Sequence, residues 1–187
     1  MYWIGIDNGV TGSIGIIKDG KAEYFPMPVK SEQSYTKAKQ SITRINFDKL
    51  IGILSNYLDD PQGVRCMIER PMVNPARFKA SASALRALES TIIVLEKLGI
   101  PYQYVDSKEW QKALLPKGRR GPRKRKRMKI NYKANSIKLK NASCDIACRL
   151  FPSVRKKLIS ISKRGNEKKI DGDSLLIAEY FRRFYVN

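Results

Sequence analysis

An apolar run with one charge at its end opens the chain. Tyr2, Ile4 and Ile6 fall on one side of an extended segment, and Trp3, Gly5 and Asp7 on the other. A period of two predicts a strand over 2–7, and that strand ends in a carboxylate. The glycine-rich bend Asn8-Gly9-Val10-Thr11-Gly12 leads to Ser13–Ile17, the turn pair Asp19-Gly20 and Ala22–Phe25, which predict a hairpin continuing the first strand. Residues 26–43 are polar and carry no period, so irregular chain is expected there. The period then changes: Asn46 caps a helix with Phe47, Leu50, Ile51, Leu54 and Leu58 at helical spacing, stopped by Asp60-Pro61-Gln62-Gly63. Val64–Glu69 reads as a short strand, again finishing in a carboxylate. Past Pro71 and Pro75 a long helix is predicted from about Ala80 to Leu98, closed by Gly99 and Pro101.

A further strand, Tyr102–Val105, precedes a helix opened by Asp106 with Glu109 three residues on, as in a capping box, and with Trp110 and Leu114 on its apolar side. A helix is expected over 142–151, stopped by Pro152. The last helix runs from about Asp171 to Phe184, with Ile177, Tyr180, Phe181 and Phe184 as its buried stripe. Three strands, then helices alternating with strands, predict a mixed α/β chain; no internal repeat interrupts it.

Length and composition sharpen this picture. A chain of 187 residues supports one domain of ordinary size, so a single domain over 1–187 is expected. The 37 Lys and Arg against 17 Asp and Glu give a net charge of +20, which repels itself in a compact body unless a polyanion is near; nucleic acid is the expected partner. The charge is concentrated in a basic insertion at about 116–140, where Lys117, Arg119, Arg120, Arg123, Lys124, Arg125, Lys126, Arg127 and Lys129 are candidate phosphate contacts. The blander reading of such a run is a nuclear-import signal or a solvated arm. Met1 leads into a strand pattern without a secretory leader, and no apolar run reaches spanning length, so a cytoplasmic protein with no membrane partner is expected. Cys66, Cys144 and Cys148 lack paired spacing and histidine is absent, so neither a structural zinc nor a histidine base is expected.

Any hydrolytic chemistry must then run on carboxylates, lysine or a metal held by oxygen. Asp7 ends the first strand, Glu69 ends the fourth, and Asp173 stands in the first turn of the last helix on the face of Ile177, Tyr180 and Phe184. If the first and fourth strands are neighbours, these groups converge, and gathered like charges force a proton onto one of them unless a cation lies between. Magnesium suits all-oxygen ligands, and a pair of such ions about 4 Å apart activates water and stabilises a leaving oxygen. Asp171 is a fourth candidate ligand; two residues from Asp173 is about 200° round a helix, so it reaches the same point only if it precedes the regular helix. A strand-end Asp taken singly is more often a turn or cap residue.

The stretch Ile4-Gly5-Ile6-Asp7-Asn8-Gly9 with Thr11-Gly12-Ser13, the strand end Met67-Ile68-Glu69, and Asp173-Ser174-Leu175-Leu176-Ile177-Ala178 resemble the three metal-site motifs of the RuvC family of Holliday-junction resolvases, especially phage-encoded members. The resemblance spans most of the chain and rests on order and spacing. It implies an RNase H-like fold with a five-stranded sheet, three antiparallel strands then parallel ones, flanked by helices. It further implies a homodimeric endodeoxyribonuclease that uses two magnesium or manganese ions to cut branched DNA in recombination and repair. In that family Asp7 would bridge the metals while Glu69 and Asp173 each help hold one. The family's further carboxylate falls where this chain has Ile170, one place before Asp171. A functional lysine follows the fifth strand, where Lys108 and Lys112 both lie. No small-molecule cofactor is implied.

Phe78, flanked by Arg77 and Lys79 after Glu69, suits stacking on an unpaired base at a branch point; the alternative is that it caps the long helix onto the core. The first glycine-rich bend also resembles a phosphate loop of actin-like ATPases and sugar kinases, but no second such loop follows. A non-catalytic DNA-binding protein would leave the three carboxylates without a role, and the nearest enzymatic alternative is an RNA–DNA hybrid nuclease on the same fold.

Overall fold

The computed structural model describes residues 1–34, 40–58, 63–115, 132–161, 167–170 and 172–185. In chain order come β1 (Tyr2–Asp7), β2 (Ser13–Lys18), β3 (Lys21–Pro26), β4 (Val29–Gln33), β5 (Ser41–Ile45) and α1 (Phe47–Ser55). They are followed by β6 (Val64–Glu69), α2 (Phe78–Lys97), β7 (Tyr102–Val105), α3 (Ser107–Leu114) and α4 (Tyr132–Leu150). The last elements are α5 (Arg155–Leu158), β8 (Ile159–Ile161), β9 (Glu167–Lys169) and α6 (Asp173–Phe184).

Both faces of the sheet are covered, so β1 is apolar on each side and only its end carries a charge. Five strands pair in the order β3-β2-β1-β6-β7, antiparallel through the first three and parallel from β1 to β6 to β7. Ile4 and Ile6 join Ile14, Ile16, Cys66 and Ile68 on one face, buried with Leu50 and Leu54 of α1 and Val94 and Leu95 of α2. Trp3, Ile17, Met67 and Val105 face the other way, into a second core built with Trp110 of α3, Cys144 and Ala147 of α4 and the α6 residues Leu175 to Ala178. This is the mixed, helix-flanked sheet that the strand pattern predicts.

Several boundaries differ from the sequence-based expectation. Residues 29–33 and 41–45 pair as an antiparallel ribbon where irregular chain was expected. No apolar period marks it, because it is held by backbone pairing and by Glu32, which bridges Lys30 at 2.6 Å and Arg44 at 2.9 Å. A second small ribbon, β8 with β9, spans only three residues a side and leaves too short a pattern to read. Helix α4 begins at Tyr132, ten residues ahead of the expected start, so the polar tail of the basic segment is helical. Helix α1 stops at Ser55, which leaves Leu58 outside it. Helix α2 starts at Phe78 after a single 3-10 turn, Pro75–Arg77, whose first amides are met by the Asn74 side chain accepting from Ala76 N at 3.0 Å.

Helix α6 lies across β1 and β2 nearly in backbone contact. Gly5 and Gly15 are cross-strand partners. A methyl group at position 5 would overlap the Ser174 carbonyl oxygen and the Ala178 nitrogen, and one at position 15 would stand 2.6 Å from Leu175 N. Two missing side chains thus make the slot that receives the helix. Its buried stripe is Leu175 to Ala178 with Phe181, which meets Trp3 edge-on at 5.2 Å. Phe184, expected in that stripe, is 58% exposed: Trp3 already lies near the start of β1, so the helix has run past the sheet by that point.

Gly5→Ala is expected to lower stability by about 3 kcal/mol, at the upper end of ordinary overpacking, because backbone and not a flexible side chain must give way. For a chain of this size that is a fall in Tm of roughly 10 °C, checked by thermal unfolding.

Candidate functional site

The parallel register that pairs Ile6 with Ile68 carries β1 and β6 one residue further to Asp7 and Glu69, so both carboxylates end adjoining strands at the same edge of the sheet. Asp7 in turn stands opposite Ser13 in the antiparallel register of β1 and β2. The buried Ser13 Oγ donates to Ser174 Oγ at 2.8 Å, which ties that point of the sheet to the first turn of α6. Asp173, half-buried, is the residue before Ser174. Its place at a helix N-terminus suits a carboxylate, since the unpaired amides there carry partial positive charge. From the other side Gly172 N donates to Ser143 Oγ of α4 at 3.2 Å, so the start of α6 is pinned to two elements.

The structure therefore brings Asp7, Glu69 and the turn bearing Asp173 to one end of the sheet. Among the described residues no three acidic, cysteine or histidine side chains close round a single point tightly enough to hold a metal ion. Asp171, the fourth candidate ligand, lies outside the described residues. The side chains carried to this edge all offer oxygen, the ligand type a hard divalent cation takes. Beside Asp7, the Asn8 amide donates to Ala84 O at 3.1 Å while its buried Oδ1 has no hydrogen-bond partner among the described residues. A buried acceptor left over next to a carboxylate fits a water or a cation better than it fits an apolar core.

Glu69 does have a partner that sequence reasoning missed. Trp110 Nε1 donates to Glu69 Oε2 at 3.0 Å, 41 residues away. The helical spacing of α3 identified Trp110 as a core residue, which it is, but gave no sign of where its N–H goes. The only available signal was that a buried indole must find an acceptor.

The segment after Glu69 is folded and not loose. Arg70 N donates to Val105 O at 3.0 Å, its guanidinium reaches Asp106 Oδ1 at 3.2 Å, and Ser81 Oγ accepts from Asn74 N and donates to Asn74 O. Asp106 consequently makes no side-chain cap to α3, contrary to the capping box expected there. Phe78 is 76% exposed, which removes the reading in which it caps α2 onto the core. Arg77 and Lys79 are exposed beside it. Met72 and Val73, which the sequence did not single out, are exposed in the same segment, so an apolar and aromatic surface flanks the carboxylate edge.

Lys108 and Lys112 are both exposed on α3. Each is about 160° round the helix from Trp110, so neither shares the face that touches Glu69. Lys108 occupies the turn next to the Arg70–Asp106 contact and Lys112 the turn beyond. Lys117, Arg119, Arg120, Arg123, Lys124, Arg125, Lys126, Arg127 and Lys129 lie outside the described residues. No described helix is long and apolar enough to cross a membrane.

No family model matches the chain and no curated protein is significantly similar to it in sequence. Two solved structures share its fold over nearly its whole length. The first is Thermus thermophilus RuvC in complex with a Holliday junction substrate, at 12% identity and a TM-score of 0.54, covering 98% of this chain and 95% of that one. The other is a further Thermus thermophilus RuvC structure at 13% identity and a TM-score of 0.52, covering 99% and 97%. The likeness establishes the fold as RNase H-like: three antiparallel strands continued by parallel ones, with helices on both faces.

Removing either hydroxyl of the Ser13–Ser174 pair strands its buried partner, so Ser13→Ala and Ser174→Ala are each expected to cost about 1–2 kcal/mol. The double variant is expected to cost less than the sum, as a double-mutant cycle of denaturant unfolding would read.

Proposed function

We propose that this chain is a magnesium-dependent endonuclease of the RuvC kind, phage-encoded in type and working in a bacterial cytoplasm, that nicks Holliday junctions and related branched DNA. The observation that carries the reading is the pairing of Asp7 and Glu69 at the ends of adjoining parallel strands, under the helix turn that bears Asp173. On this reading the chain acts as one nuclease domain over residues 1–187. Asp7, Glu69 and Asp173, with Asp171 as a fourth ligand, would hold two magnesium or manganese ions, which when bound supply an activated water and neutralise the leaving oxygen of a phosphodiester.

The chain's own residues do the rest. The backbones that carry the carboxylates are fixed by the sheet register and by the slot under α6, so gathering them round ions would fall to the side chains. Phe78, with Met72 and Val73, offers a face on which a base unpaired at a branch point can stack. Arg77 and Lys79, one of Lys108 and Lys112, and the basic segment hold the phosphate backbone on either side, which makes binding steeply dependent on salt. Paired nicks across a symmetric junction need two sites, so the working form is a homodimer. The outward residues of α2, Leu85 and Ile93, are apolar and exposed, and a second copy is the occupant that this reading gives them.

A labelled four-way junction and an RNA–DNA hybrid duplex, each with magnesium, test the assignment. Symmetric nicks are expected on the junction in preference to the hybrid. Asp7→Asn is expected to keep junction binding while cutting falls by more than the ~100-fold that an outer-shell change brings. Cutting that survives Asp7→Asn, or preferential cutting of the hybrid, overturns the proposal.

A further inference from the structure

We infer that Trp110 is a positioning residue for Glu69, its indole N–H setting the carboxylate for the cation site; the inference rests on the function proposed above. The indole N–H is a donor with no acceptor capacity, and Trp110 is only 1% exposed, so water cannot serve it and a protein acceptor is obligatory. The fold gives it a carboxylate oxygen at 3.0 Å, from a strand end 41 residues away. A neutral N–H meeting a charged oxygen makes a stronger bond than one meeting a neutral carbonyl.

The two partners differ in freedom, and that sets the direction of control. The ring is immobilised on all sides: Trp110 is packed in the same core as Met67, two residues before Glu69, and as Leu175 to Ala178, just after Asp173. Glu69 instead ends its strand and is half-buried. An untethered glutamate there would lose its rotamer freedom each time it took up an ion; a side chain already held by a fixed donor has lost most of it beforehand. The bond engages Oε2 and restrains the carboxylate. Trp110 belongs to the core that α3 and α6 share, so Glu69 is tied to the same core as the helix that carries Asp173. A residue needed only to fill the core at 110 has no use for the N–H, and phenylalanine would do.

The test compares the wild type with Trp110→Phe and with a form carrying benzothienylalanine at 110, whose ring has the same shape with sulfur in place of the N–H. Magnesium and manganese uptake is followed by calorimetry on the full chain, with thermal unfolding in parallel. The chain has two tryptophans, so Trp3→Phe leaves Trp110 as the sole indole, and its emission is read through a magnesium titration. The expected result is a saturable change in Trp110 emission that Glu69→Gln abolishes, and ion affinity about 10-fold weaker in both 110 variants, the size typical of groups that orient a metal ligand. The benzothienylalanine form keeps its melting temperature, which separates this loss from a packing defect. Wild-type affinity in the benzothienylalanine form, with the wild type itself binding magnesium, makes Trp110 a packing residue and leaves the proposed function standing. Absence of magnesium and manganese uptake by the wild type removes both.

Discussion

The backbone-to-backbone approach of α6 to β1 and β2 is the constraint on which the arrangement depends. Helices ordinarily stand off a sheet by the depth of their side chains. Here Gly5 and Gly15, paired across two strands, let Ser174, Leu175 and Ala178 come down onto the strand backbone itself. The first turn of the helix is thereby set level with the strand end that carries Asp7. The Ser13–Ser174 hydrogen bond and the Gly172–Ser143 bond then fix its position along and across the sheet. A helix resting on larger side chains would lie further out and would carry Asp173 away from the edge where the other two carboxylates end.

Electrostatics on this body work at two ranges. Outside the basic segment that holds much of the +20 surplus, Arg77, Lys79, Lys108 and Lys112 are exposed around the sheet edge, and such charge acts over about a Debye length, ~8 Å at physiological salt. Its effect is to draw a polyanion toward the face. Acidic groups at the sheet edge oppose that attraction locally, and a divalent cation between them would change the sign of their contribution. On the proposed function, long-range attraction and short-range chemistry would be carried by different residues. The segment from Arg70 to Lys79 lies between the two and is anchored by Arg70–Asp106 and Asn74–Ser81.

Much of the fold was legible in the sequence because it rests on periodicity. A period of two in 2–7 gave that strand and the faces of Ile4, Ile6 and Trp3, 64–69 was read as a short strand, and the carboxylates at their ends followed from where each run stops. Their adjacency was legible only as a condition, since it depends on which strands pair. The β4–β5 ribbon was hidden because ion pairs, and not apolar side chains, distinguish its faces. The early start of α4 was hidden because 132–141 is mostly polar and its Ile137 and Leu139, two residues apart, give no helical stripe. Phe78 looked equally suited to core and surface, since an aromatic beside two cations occurs in both; exposure decided it. The partner of Trp110 was beyond the sequence altogether, because a bond across 41 residues depends on how α3 docks.

The slot under α6 also bears on transplanting this chemistry. Copying the three acidic positions onto another scaffold would reproduce the proposed ligands without their altitude, since the vertical offset between strand ends and helix turn is written in two residues that carry no functional side chain. Engineers borrowing the motif must therefore carry over an absence, the paired hydrogens of positions 5 and 15, as faithfully as any functional group.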